Sequence, residues 1–188
     1  HIVPSSVFGQ NAPSNRIVMG CIGLGGQGSG HLLGGAWTYV AGGYAGRKDV
    51  QVLAVCDVWR DRLDKARTKV NDHYAEAYGK GNYKSCEAYA DFRQVLDRSD
   101  IDAVLIATPA HWHATMSAMA AEAGKDIYCE KPLTHSVWEA RQLAELARRH
   151  KVATQMGNQG QAEESVRVLC EYLGGGAIGP VREVQVWT

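Results

Sequence analysis

The sequence predicts an α/β protein with a doubly wound parallel sheet, and three observations carry that prediction. Short apolar runs alternate with stretches of helical periodicity along nearly the whole chain. The runs are almost uninterrupted by polar residues, as strands covered on both faces must be. The first run ends in a glycine-rich turn, "GLGGQG" at 23–28, that leads straight into a helical pattern.

The elements follow in order. Residues 1–15 are polar and turn-rich and read as a loosely held arm. "RIVMGCI" (16–22) is a buried strand, and a helix is expected to start near Ser29. Residues 33–50 hold five glycines and read as a long excursion back to the sheet. "VQVLAVCD" (50–57) is a second buried strand. Leu63, Ala66, Val70, Tyr74 and Ala77 then recur at helical spacing, predicting an amphipathic helix over 60–78. A short strand near 87–90 and a short helix over 91–99 lead to the strand "DAVLIATP" (102–109). A helix over 113–124 stops at Gly124, and "DIYCE" (126–130) is the fifth strand. The next helix, within 134–150, opens on a capping box of Ser136 and Glu139. "VATQM" (152–156) is a strand and 162–173 a helix. "GPVREVQVWT" (179–188) alternates instead, as the first strand of a second, half-exposed sheet would. The organisation read from this is an arm (1–15), a doubly wound domain (16–175) and the start of a truncated α+β domain (176–188).

Bulk properties exclude several classes. The 188 residues are 45% hydrophobic and 21% charged with a formal net charge of zero, so no general electrostatic footprint for nucleic acid exists. No apolar stretch approaches the ~20 residues that cross a bilayer, and no membrane partner is expected. The five cysteines are odd in number, lack zinc spacing, and read mainly as small buried hydrophobes. His111 and His113 flank Trp112 without a third ligand at suitable spacing, so no metal is predicted. The chain opens at His1 without an initiator methionine or signal peptide, which suggests a trimmed or mature form.

The turn itself carries the chemistry. In a dinucleotide fingerprint Gly23 would make the tight turn, Gly25 would let the backbone approach a pyrophosphate, and Gly28 would pack the helix on the sheet. The intervening Leu24, Gly26 and Gln27 would add backbone to that cradle, and the helix N-terminus would favour the anion. Asp57, followed by Val58, ends the second strand, where a carboxylate accepts hydrogen bonds from adenosine ribose hydroxyls. It disfavours a 2′-phosphate, so NAD is preferred, while Arg60 leaves NADP open. The same turn would suit S-adenosylmethionine in a methyltransferase, although continued β-α units through 152–173 argue against that sheet.

Three further motifs, "IATPAHWH" (106–113), "CEKPL" (129–133) and "QMGNQG" (155–160), lie at carboxyl ends of strands, where open α/β sheets bind ligands. With the glycine turn they resemble the Gfo/Idh/MocA oxidoreductases over residues 16–188. The resemblance implies a Rossmann fold and a nicotinamide cofactor. It places Thr108 and Pro109 on the nicotinamide side, His113 at the family's histidine and Asn158 near the nicotinamide. It makes Lys131 the catalytic lysine, with Glu130 beside it. Ala110 stands where the family often has asparagine. The implied parent oxidises a carbinol carbon of a sugar or polyol, a step that in some relatives starts an epimerisation or a glycosidic elimination. A noncatalytic NAD-binding module is the alternative. The family's acid/base histidine would follow Thr188, so the fragment is expected to be inactive alone. Relatives often form homo-oligomers through the missing sheet. The first residues also look like those behind a twin-arginine export signal, so an exported, periplasmic location stands beside a cytoplasmic one.

Overall fold

The computed structural model describes residues 15–35 and 41–187. Six strands form one all-parallel sheet: β1 (Ile17–Ile22), β2 (Val50–Cys56), β3 (Glu87–Tyr89), β4 (Ala103–Ile106), β5 (Asp126–Glu130) and β6 (Thr154–Gly157). The helices are α1 (Gly26–Leu33), α2 (Arg60–Tyr78), α3 (Phe92–Leu96), α4 (His113–Glu122), α5 (Val137–His150) and α6 (Glu164–Gly174). The sheet order is β3-β2-β1-β4-β5-β6, so the winding reverses between β1 and β4. That reversal leaves a crevice at the carboxyl ends of these two strands.

Alternation along each strand sends side chains to two separate cores. Met19, Cys21 and Leu105 face Leu32 of α1 and Leu63, Ala66, Val70 and Tyr74 of α2. Ile22, Val104 and Ile106 face Phe92 and Val95 of α3 and Met116 and Ala120 of α4. Both faces of the sheet are therefore covered, which is why its strands read as continuous apolar runs. A register shift between Met19 and Gly20 skips Leu53, and it moves Ala54 to the α3–α4 face while Val52 stays on the other.

Two expectations are corrected. The first helix begins at Gly26, not near Ser29, because Ser29 lies within the first helical turn and donates its hydroxyl to the Leu24 carbonyl at 2.8 Å instead of capping the helix. No strand forms over the described residues 179–187, since an alternating segment becomes a strand only where a neighbour completes its ladder. The capping box of Ser136 and Glu139 is present, with both reciprocal bonds made. Residues 36–40 of the glycine-rich excursion and nearly all of the arm lie outside the described residues. The chain divides into two compact units, one reaching to Gly157 and one from Asn158 onward. Cys21, Cys56, Cys86 and Cys129 are buried and Cys170 is exposed. Burial pushes the Cys56 and Cys86 thiols up to about 12, so they stay protonated and inert.

Candidate functional site

The glycine turn is built from two close approaches and one opening. Gly23 has φ +87°, and a Cβ there would lie 2.7 Å from the Ala107 carbonyl and the Thr108 nitrogen, where β1 and β4 converge. A Cβ on Gly28 would fall 1.8 Å from the Gly23 carbonyl oxygen, so α1 can sit on the turn only with glycine. Gly25 differs. Its Cβ would meet nothing nearer than Arg62 Nη1 at 3.6 Å, and Gly26 faces nothing within 4 Å. The protein leaves the outside of this turn empty, and α1 has no side-chain cap at its N-terminus.

That empty face borders a cavity of about 690 Å³ at the carboxyl ends of β1 to β4. Gly23, Gly25, Gly26 and Gln27 form one wall; Asp57, Val58, Trp59 and Arg62 follow β2; Asp91, Phe92 and Arg93 follow β3; Thr108, Pro109, Trp112 and Met116 follow β4. Asp57 is half-buried. Its Oδ2 accepts the Leu24 N–H at 2.7 Å and its Oδ1 the Trp59 N–H at 2.8 Å. This ties the end of β2 to the turn while each oxygen retains a lone pair. The Arg62 guanidinium lies over the Trp59 ring at 4.3 Å, a flat cationic platform beside Asp57.

Several sequence-predicted residues stand elsewhere. Arg60 points into solvent, 91% exposed and paired with Asp64 at 3.8 Å; Arg62, which the sequence reading missed, lines the cavity in its place. The Leu24 side chain belongs to the core, and only its backbone serves the turn. His113 is buried, outside the cavity lining. Its Nδ1 lies 2.6 Å from the Pro132 carbonyl and its Nε2 2.8 Å from the Thr108 carbonyl, so the ring links the loops after β4 and β5. Glu130 is buried behind the turn, where Gln27 donates to its Oε1 at 3.3 Å and His31 approaches the same oxygen at 2.5 Å. Lys131 is exposed on the next loop, preceding a cis peptide to Pro132. Asn158 opens the second unit, ahead of a short 3-10 turn over Gln159–Ala162. His31 was also missed; its one sequence signal is a polar side chain beside Leu32 in a helix otherwise rich in glycine.

A parallel sheet with a reversed winding, an open glycine turn at the reversal and a carboxylate at the end of β2 define a dinucleotide-binding α/β domain. Residues 17–158 match the sequence profile of the oxidoreductase family with an NAD-binding Rossmann fold. The chain belongs to this Gfo/Idh/MocA family. It is 33% identical over 171 residues to glycosyl hydrolase family 109 protein 1 of Shewanella sp. (strain ANA-3), covering 89% of this chain and 34% of that protein. It is 32% identical over 168 residues to an alpha-N-acetylgalactosaminidase of Shewanella oneidensis, covering 87% of this chain and 33% of that protein. The chain thus spans about a third of the curated relatives it matches. Among solved structures, a 3-ketoreductase from Actinomadura kijaniata in complex with NADP superposes with a TM-score of 0.69 at 25% identity, over 89% of this chain and 47% of that one. A scyllo-inositol dehydrogenase from Lactobacillus casei, with bound NAD(H) and scyllo-inositol, shares the fold at a TM-score of 0.67 and 24% identity, over 87% of this chain and 42% of that one.

Proposed function

We propose that this chain is the dinucleotide-grasping part of an enzyme that oxidises a secondary alcohol of a sugar or polyol. One observation carries the reading: the glycine turn is empty on the outside, and it opens on a cavity that the Asp57 carboxylate borders. Bound there, a nicotinamide dinucleotide would supply the hydride acceptor for the carbinol carbon. The chain's own residues bind and orient. The uncapped N-terminus of α1 favours the diphosphate, and Asp57 offers its remaining lone pairs to the adenosine ribose. Trp59 and Arg62 give the adenine a surface, and Thr108 and Pro109 line the far wall. Lys131 would hold the substrate hydroxyl. Asp57 favours NAD over NADP by like-charge repulsion, and Arg62 is the cation placed to soften that preference.

A second outcome of the same oxidation is favoured by the relatives named as glycosyl hydrolases. A ketone in the ring acidifies the neighbouring C–H, and loss of that proton expels a glycosidic oxygen; water then adds across the resulting double bond, and the hydride can be returned to the ketone with no net redox change. Calorimetric titration of the chain with NAD, NADP and S-adenosylmethionine tests the first step. Binding of the dinucleotides, NAD the tighter, is expected; binding of S-adenosylmethionine alone would remove the reading. With the full-length protein and NAD, release of nitrophenol from an aryl N-acetylgalactosaminide without NADH accumulation supports the glycosidic outcome. NADH accumulation with a free polyol supports simple dehydrogenation.

A further inference from the structure

We propose that His31 is a positioning residue: by gripping Glu130 it fixes the Lys131 loop and the first turn of α1 relative to one another. Its consequence for ligand binding rests on the dinucleotide reading above. Gly26, Gly28 and Gly30 carry no side chain, so His31 and Leu32 supply most of what α1 buries. Leu32 enters the core. His31, 3% exposed, turns instead to the Glu130 carboxylate, itself 5% exposed, with Nε2 and Oε1 2.5 Å apart.

Among the described residues this carboxylate gathers His31, Gln27 and the Lys131 N–H. Oε1 takes His31 from the last turn of α1 and, at 3.3 Å, the Gln27 amide from its first turn; Oε2 accepts the Lys131 N–H at 3.3 Å. The third wall is made by absence, since a Cβ on Gly157 of β6 would lie 2.6 Å from Oε1. Tyr44 stacks on the His31 ring at 6.3 Å and Tyr128 meets it edge-on at 5.4 Å. Burial, then the neighbouring Cys21 and Glu130, push the Tyr44 hydroxyl up, while Arg47 opposes them.

Apolar residues of similar volume often hold two elements as well as a buried polar pair does, so this pair is weak evidence for stability. What the polar pair adds is direction. Its bonds end on Gln27, which borders the cavity, and on the backbone of Lys131. Without His31 the carboxylate loses the described group that approaches it most closely and turns toward water, releasing both.

Hydrogen–deuterium exchange read by mass spectrometry, with NADH titration beside it, tests this on the 188-residue chain. In His31→Leu, exchange is expected to rise about tenfold at residues 26–28 and 130–134 and to stay unchanged across β2 and α2, with NADH affinity falling roughly five- to tenfold. His31→Gln keeps a donor of similar reach and should restore both. If His31→Leu fails to fold, Glu130→Gln carries the test. The Gln27 amide and the Lys131 N–H both donate to this carboxylate, and an amide offers one oxygen between them, so exchange should rise at residues 26–28 or at Lys131. A uniform rise, no rise, or His31→Gln behaving like His31→Leu would overturn the proposal. Should the wild-type chain bind no NADH while the local exchange pattern appears, the dinucleotide reading falls and the positioning role stands.

Discussion

Each oxygen of the Asp57 carboxylate already accepts one backbone N–H, so this side chain shapes the turn before any ligand arrives. A ribose diol would take the lone pairs that remain. Asp57→Ala should therefore weaken NAD by on the order of 1.5–3 kcal/mol and narrow its advantage over NADP, read by titration calorimetry. Unchanged affinity for both cofactors would remove Asp57 from the site. Gly25 isolates the ligand's share. Its Cβ position is open on the protein side, so Gly25→Val should abolish NAD binding while circular dichroism and melting stay near wild type. Retained binding would make the turn only a bend. The positions of these two residues on the cavity wall were legible in the sequence because the fingerprint is local, its spacing dictated by one turn and one strand end. Arg60 and His113 were not. Whether Arg60 or Arg62 faces the cavity depends on how the first turn of α2 rotates over Trp59, and Arg60 turned to Asp64 instead. A histidine's type says nothing about whether its ring meets a ligand or, as with His113, two backbone carbonyls from loops apart in sequence.

Among the elements, α1 shows packing overriding propensity. Serine is a favoured cap, yet the helix starts at Gly26, because Gly28 must lie against the Gly23 carbonyl for the turn to close. Gly28→Ala should lift α1 from the sheet and cost roughly 1–3 kcal/mol in denaturant unfolding, as overpacking does. A stability within a few tenths of a kcal/mol of wild type would show that α1 yields freely. At the opposite end of the sheet Arg98, between α3 and β4, donates to the Leu53 carbonyl at 3.1 Å, to Glu87 at 3.0 Å and to both oxygens of Asp100. Arg98 and then Lys84 hold the Asp100 carboxyl well below the usual carboxylate range. A carboxyl lowered in the folded state adds stability above its unfolded value near ~4, and that stability fades as pH falls below it. Asp100→Asn should thus lower the melting temperature at pH 7 and flatten its fall between about pH 5 and 2. Parallel pH profiles for the two proteins would discount the pair. None of this hub was legible, since its partners lie on three separate segments. The parallel strands were legible because burial on both faces writes itself as apolar runs. The alternating segment forms no strand over the described residues 179–187, because alternation reports a half-exposed face without supplying the neighbour that makes a strand.

For the molecule as a whole, the division at Gly157 sets the dinucleotide-grasping unit apart from residues 158–188. Every residue lining the cavity lies between Ile22 and Met116, inside the first unit, and both cores that support it are drawn from the same unit. The chain spans only about a third of its curated relatives. Orientation of reactants is worth up to ~7–11 kcal/mol of barrier, and general base catalysis a further ~10²–10⁴-fold. The 188-residue chain should accordingly bind NADH while giving no measurable NADH production from any polyol. Removing residues 158–188 should leave NADH affinity within about twofold of the intact chain if the first unit suffices, since a change that small is below ~0.5 kcal/mol. Asn158 is the specific challenge to this, because the family resemblance puts it near the nicotinamide. An Asn158→Ala chain that loses tenfold in NADH affinity, matched by the truncated chain, would assign the loss to that side chain and extend the site beyond Gly157. A truncated chain that loses tenfold while Asn158→Ala does not would show that α6 and its neighbours complete the fold of the first unit. Equal affinity in all three would confine the grip on the dinucleotide to the turn, Asp57 and the Trp59–Arg62 platform.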